Sequence, residues 1–171
     1  NISTLSAPLF QSTTFLEHLN LSSNQLAWLE PSLLTALASL NVLDLSANRI
    51  EQIAGGSDTF VANTRLRALN LRGNRLRELP AATLGVPALA SLATLELAGN
   101  WLEGDVELAA LKDASESMQW LDCSRNRIER VVCGTPAFFA VRQIRLTGNR
   151  LEAGVVCRGQ LVGAVVGVRG C

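Results

Sequence analysis

The feature that most constrains this chain is a segment that it writes six times. "LEHLNLSSNQL" at residues 16–26 returns as "LNVLDLSANRI", "LRALNLRGNRL" and "LATLELAGNWL", and two degenerate copies follow. The aligned positions are Leu16, Leu19, Leu21, Asn24, Leu26; Leu40, Leu43, Leu45, Asn48, Ile50; Leu66, Leu69, Leu71, Asn74, Leu76; Leu92, Leu95, Leu97, Asn100, Leu102; Met118, Leu121, Cys123, Asn126, Ile128; and Val141, Ile144, Leu146, Asn149, Leu151. Successive asparagines stand 24, 26, 26, 26 and 23 residues apart. Self-similarity at such a period marks a stacked array, in which no copy can bury its apolar face alone.

The alternating Leu-x-Leu at the heart of each copy is a strand signature, leucines inward and the residues between them outward. Copies paired edge to edge at about 4.8 Å bury one continuous leucine column, so each is stable because it has neighbours. The asparagine closes the strand, where a buried amide can serve the backbone of the following turn. It reads as a structural residue. The remainder of each copy is bulkier than a strand, which bends the stack with its sheet on the concave side.

The pattern L-x-x-L-x-L-x-x-N-x-L resembles the leucine-rich-repeat family over essentially the whole chain. The resemblance implies an α/β right-handed solenoid, a curved horseshoe with a parallel β-sheet on the concave face and an irregular or short-helical convex side. After Asn24, the apolar residues Leu26, Leu29, Leu34, Leu37 and Leu40, with Pro31 between them, are close to the 24-residue form common in extracellular members. Two-residue insertions fall in "EQIAGGSDTFVANT", "RELPAATLGVPALAS" and "EGDVELAALKDASESM". In the third, Asp105 is expected to cap a short helix whose Val106, Ala109 and Ala110 face inward.

Run backwards from Asn24, the register puts Ile2, Leu5, Phe10 and Leu16 on apolar positions. The expectation is a chain that begins mid-repeat, a fragment or trimmed form of a longer ectodomain, with residues 1–15 as a cysteine-free cap the alternative. Residues 1–151 are read as the solenoid and 152–171 as a cysteine-containing C-terminal cap, in which Val165 and Val168 form a rudimentary seventh turn.

A hydrophobic content of 48%, 18% charged residues and zero formal net charge suit a buried solenoid and give no reason to expect nucleic acid or a membrane surface. No apolar run approaches the ~20 residues of a membrane span. Cys123, Cys133, Cys157 and Cys171 all lie in the last third of the chain, where ectodomains of the resembled family often carry a disulfide-stapled cap. Cys133 follows Asn126 by seven residues and Cys157 follows Asn149 by eight, which puts the two near each other on successive turns. Their pairing is favoured, with Cys123 and Cys171 either paired or free; four cysteines permit three connectivities. "NIS" at Asn1 and "NLS" at Asn20 match the N-glycosylation acceptor. Neither a metal site nor a cofactor is expected: no C-x-x-C occurs, and the single histidine, His18, is far from the cysteines.

Function has to be read from the outward residues. Three columns tile the concave face: His18, Val42, Ala68, Thr94, Trp120, Gln143; Asn20, Asp44, Asn70, Glu96, Asp122, Arg145; and Ser22, Ser46, Arg72, Ala98, Ser124, Thr147. Trp120 stands out as an anchor, because large amphipathic side chains concentrate at binding hot spots. Asp122, Gln143 and Arg145 are expected beside it, with Glu96, Arg72, Asp44 and His18 completing the candidate partner-binding surface. Arg49, Arg75, Arg127 and Arg150, interrupted by Trp101, follow the asparagines as a basic row, expected to pair with Glu51, Glu78, Glu129 and Glu152 along a solvated edge. Trp28 and Trp101 are expected to fill the edge of the coil.

No nucleophile and base with an orienting acid can be assembled around His18, whose neighbours would be Asn20 and Val42, so an enzyme is not expected. The first reading is a secreted or ectodomain module that binds a protein ligand or co-receptor, in innate immunity or cell-surface recognition, as a homo- or hetero-oligomer or alone. Cysteines confined to the C-terminal end are loosely similar to the insect leucine-rich immune proteins. An intracellular repeat scaffold with reduced cysteines, and a structural spacer within a large receptor, are the alternatives.

Overall fold

The structure, a computed structural model, describes residues 1–53, 58–78, 84–108, 111, 117–132 and 141–151, together with the strand backbone at 155–156 and 165–166. The main sheet is built from β1 (His18–Asn20), β3 (Val42–Asp44), β5 (Ala68–Asn70), β6 (Thr94–Glu96), β8 (Trp120–Asp122), β10 (Gln143–Arg145) and β12 (Val165–Val166). Its seven strands are hydrogen-bonded in that order, each parallel to its neighbours, which makes this the sheet of a stacked solenoid.

The central leucines of β3, β5, β6 and β8 and the leucines that follow the first three are buried, so the apolar column runs unbroken through the stack. At Cys123 the column accepts a thiol in place of a leucine, 1% exposed. Ile144 and Leu146 continue it.

The asparagine amide is the mortar between copies. Asn74 Nδ2 donates to its own Leu71 carbonyl and to that of Leu45 one repeat back, both at 3.0 Å, while its Oδ1 accepts from the Ile50 amide at 3.0 Å. Asn48, Asn100, Asn126 and Asn149 repeat the same three bonds with their own neighbours. A carboxylate could not donate and an aliphatic side chain could do neither, so the position demands a carboxamide. Asn24 makes the equivalent bond to the Ile2 amide at 2.8 Å, which places Ile2 where Leu26 stands in the next turn.

A second requirement lies one residue earlier. Ser23, Ala47, Gly73, Gly99, Arg125 and Gly148 all adopt left-handed backbone, with φ between 52° and 74°. The amides of the first five each donate to the next repeat, as Ala47 does to the Arg72 carbonyl and Arg125 to that of Thr147. Glycine fills this conformation without penalty at three of the six sites; elsewhere the stack carries a strain of about 1–2 kcal/mol.

The convex side carries short 3₁₀ turns at Ala7–Phe10, Pro31–Leu34 and Pro87–Leu89, each with proline in its first turn, where fixed φ suits entry and no amide is wasted. Between the faces run two smaller parallel sheets: β2 (Trp28–Leu29) with β4 (Gln52–Ile53), and β7 (Glu103–Glu107), β9 (Arg127–Val132) and β11 (Val155–Val156). Here the helix expected at Asp105 is replaced by strand. Residues 103–107 pair with β9 through a register shift at Gly104/Asp105, and Asp105 is clasped by Arg130, whose Nε lies 2.8 Å from Oδ1. Backbone pairing to the neighbouring repeat outweighs the weak local signal for a cap. Val106 is buried as expected, while Ala109 and Ala110 lie outside the described residues. So do Cys133, Cys157, Cys171 and Val168; the favoured disulfide and most of the expected cap therefore fall outside the described structure. Among the described residues no helix is long and apolar enough to cross a membrane.

Candidate functional site

The strand register aligns the outward columns as the repeat spacing predicts, His18 with Val42 and Asn20 with Asp44 at one end, Gln143 with Trp120 and Arg145 with Asp122 at the other. What the side chains do along one column changes midway.

In the central column, Asn20, Asp44, Asn70 and Asp122 each accept, through Oδ1, a hydrogen bond from the amide two residues on, at 2.8–3.1 Å. This is an Asx turn. Asp44 and Asp122, read from the sequence as partner-binding groups, thus hold the bend that ends each strand, as Asn20 and Asn70 do. Glu96 is one methylene longer, and its Oε1 instead accepts from Trp120 Nε1 at 2.9 Å across to the neighbouring strand. On the far side of the indole the Arg145 guanidinium carbon lies 5.3 Å from the ring centroid, and Nη1 reaches Asp122 Oδ2 at 3.7 Å. Glu96, Trp120, Arg145 and Asp122 thus form one linked set across β6, β8 and β10.

The set is ordered before any partner arrives. Trp120 is half-buried with its only donor satisfied, Asp122 is 5% exposed, and Arg145 is held over the ring with its charge open to solvent. Cation–π contact of this kind contributes about 0.5–1 kcal/mol. Gln143, exposed on β10, stands beside the indole. His18, Asp44 and Arg72 are not brought into this set: His18 lies four strand spacings from β8, about 19 Å away, and Asp44 two strands before Glu96.

Cys123, directly beneath this surface, is a free thiol pushed up to about 12 by burial in the core and, second, by the nearby Asp122 carboxylate. Such a thiol is chemically inert in the folded state. Both sequon asparagines are exposed, Asn20 on β1 with its Oδ1 engaged by Ser22.

Elsewhere the expected arginine–glutamate pairing takes another form. Among the described residues the only such pair in the basic row is Arg75 with Glu51 of the preceding repeat, 3.5 Å apart. Trp101 fills the edge between the guanidinium groups of Arg75 and Arg77, 5.6 and 5.8 Å from its centroid, whereas Trp28 remains 46% exposed. Arg77 was not legible as a site residue; its signal is an arginine where other repeats carry glutamate, as at Glu51, Glu103 and Glu129.

A stacked parallel sheet bound together by an asparagine ladder defines a leucine-rich-repeat solenoid, and that is the fold of this chain. The family model described as "Leucine rich repeat" matches residues 1–50 and 14–76. Among solved structures, the chain is similar to one in the Toll–Spatzle complex of Drosophila, described as a molecular hub in development and innate immunity, with 24% identity, a TM-score of 0.70 and 91% of this chain covered. It is also similar to the ectodomain of the receptor kinase SOBIR1 from Arabidopsis thaliana, with 24% identity, a TM-score of 0.58, and coverage of 81% of this chain and 73% of that one. The chain spans 22% of the length of the matched chain in the Toll–Spatzle complex. No curated protein matches it in sequence.

Proposed function

We propose that this chain is a non-enzymatic recognition module, secreted or part of a receptor ectodomain, that binds a protein ligand or co-receptor through the C-terminal half of its concave face. The observation that carries this reading is the linked set Glu96–Trp120–Arg145–Asp122. It offers a large aromatic surface with a directional charge on either side, already held in one conformation. Preordered anchors reduce the entropy lost on association, and tryptophan and arginine dominate binding hot spots. Solenoids present such surfaces for extended partners. One of the similar solved structures is the ectodomain of a receptor kinase and another belongs to the Toll–Spatzle complex, a hub of development and innate immunity, which supports a reading of innate-immune or cell-surface recognition for this chain.

The test has two parts. Intact mass of protein from a secretory host, before and after reduction, should reveal one bridge, Cys133 to Cys157, and glycans at Asn1 and Asn20; four free thiols would point to an intracellular scaffold. A secreted protein captured by the immobilised chain should then lose affinity by about 1–3 kcal/mol on Trp120→Ala and keep it on Trp28→Ala. Undiminished binding to Trp120→Ala would move the site off this surface and leave the chain a spacer.

A further inference from the structure

The row of residues that follows the asparagines is continuous along one edge of the solenoid. Arg49, Arg75, Trp101, Arg127 and Arg150 each donate their amide to the preceding repeat, at 2.7–3.0 Å, which stacks their side chains one repeat apart. In the middle of this row a cleft of about 110 Å³ is lined by Arg77, Trp101, Glu103 and Arg127. Arg127 stands opposite Glu103 in the β7–β9 pairing. Arg75 is compensated by Glu51, but among the described residues Arg77 and Arg127 have no ion pair. Among the described residues, two guanidinium groups without an ion pair therefore share a cleft with one carboxylate, in a protein whose formal net charge is zero.

We propose that this cleft binds a sulfate ester of a linear sulfated polysaccharide, with Arg49 and Arg150 extending the contact along the same edge. Trp101 holds Arg75 and Arg77 against its ring, so the guanidinium groups are positioned and not merely tethered. Planar guanidinium forks match tetrahedral oxyanions better than ammonium groups do. Glu103 sets the charge of the ligand: a sulfate monoester carries a single charge, whereas a phosphate monoester carries about −1.5 to −2 at pH 7 and meets nearly twice the repulsion. The recurrence of cations at Arg49, Arg75, Arg127 and Arg150, bridged by Trp101, suits a repeating polyanion over an isolated charged residue. The site shares no residue with the concave face and stands or falls separately.

The experiment measures binding to immobilised heparin oligosaccharide at 150 mM salt, with desulfated heparin and inositol hexakisphosphate, whose phosphates are all monoesters, as competitors. The sulfated oligosaccharide should bind and the other two compete poorly. Arg77→Ser with Arg127→Ser should weaken binding about tenfold or more, and Glu103→Gln should tighten it about threefold by removing the one carboxylate. Trp120→Ala should leave it unchanged, which separates this site from the concave one. Circular dichroism and thermal melting verify that each variant is folded, and Glu103→Gln carries the test if the double variant is not. No binding by the wild type, competition by inositol hexakisphosphate as strong as by the sulfated oligosaccharide, or indifference to both sets of variants overturns the proposal.

Discussion

The two halves of the concave sheet use one repeat position for different ends. In β1, β3 and β5 the central outward residue is Asn20, Asp44 or Asn70, each folded back on the amide two residues later. In β6, β8 and β10 it is Glu96, Asp122 or Arg145, and all three reach across strands. The backbone is the same in both halves; one methylene in Glu96 and the presence of an indole opposite it change a turn-closing column into a linked surface. A repeat position is therefore not a function, and its neighbours on the adjacent strands decide what it does.

Leu71→Asp should abolish the comparison altogether. A carboxylate at a fully buried site between the halves breaks the column for both, at a cost above about 4 kcal/mol; a folded, cooperative mutant by circular dichroism would refute the register. Asn100→Ala cuts the same boundary through its hydrogen bonds, stranding the buried Leu76 amide and taking one of two amide donors from each of the Leu71 and Leu97 carbonyls. Its expected cost is about 3 kcal/mol in urea unfolding, against about 1 kcal/mol for Asn24→Ala, whose bond to Ile2 is exposed.

The halves should also separate in alanine substitutions of their aspartates. Asp122→Ala removes a turn bond and leaves Arg145 without its carboxylate, for about 1–2 kcal/mol. Asp44→Ala loses only the turn bond, about 0.5–1 kcal/mol, and Asp44→Asn should be silent in the same melting experiment, since Asn20 and Asn70 already do that work.

Only the C-terminal half should respond to alkaline pH through a thiol. The unfolded Cys123 thiol ionises near the ordinary 8.5, while burial pushes the folded one up to about 12. The folded state holds the proton more tightly, so its contribution is complete below pH ~8.5 and falls as pH rises towards 12, by about 2 kcal/mol at pH 10. The urea midpoint between pH 8 and 10 should show this loss and Cys123→Ala should not. Smallest of all, Ala47→Gly relieves left-handed strain but adds chain entropy, for a net change within about 0.5 kcal/mol; a loss above 1 kcal/mol would show that the turn depends on the methyl group.

Much of this was legible in the sequence because it is periodic. The leucines and asparagines recur at fixed offsets, so strand, column and register follow from spacing. The left-handed residue before each asparagine is equally marked in the sequence, by Gly73, Gly99 and Gly148. Asp105 shows the opposite case: a capping residue before an apolar run suggests a helix locally, and only the adjacent repeat, by offering β9 as a partner, makes it a strand. Arg77 reaches Trp101 from a different repeat, a contact that no local pattern encodes.

The sequence by itself determined the solenoid, because repeats that cannot bury their leucines alone have one way to do so, by stacking. The tertiary structure decided which outward residues are committed to turns and which are joined into a surface. Those outcomes depend on side-chain length and on what stands one strand away, distances that exist only once the copies are stacked.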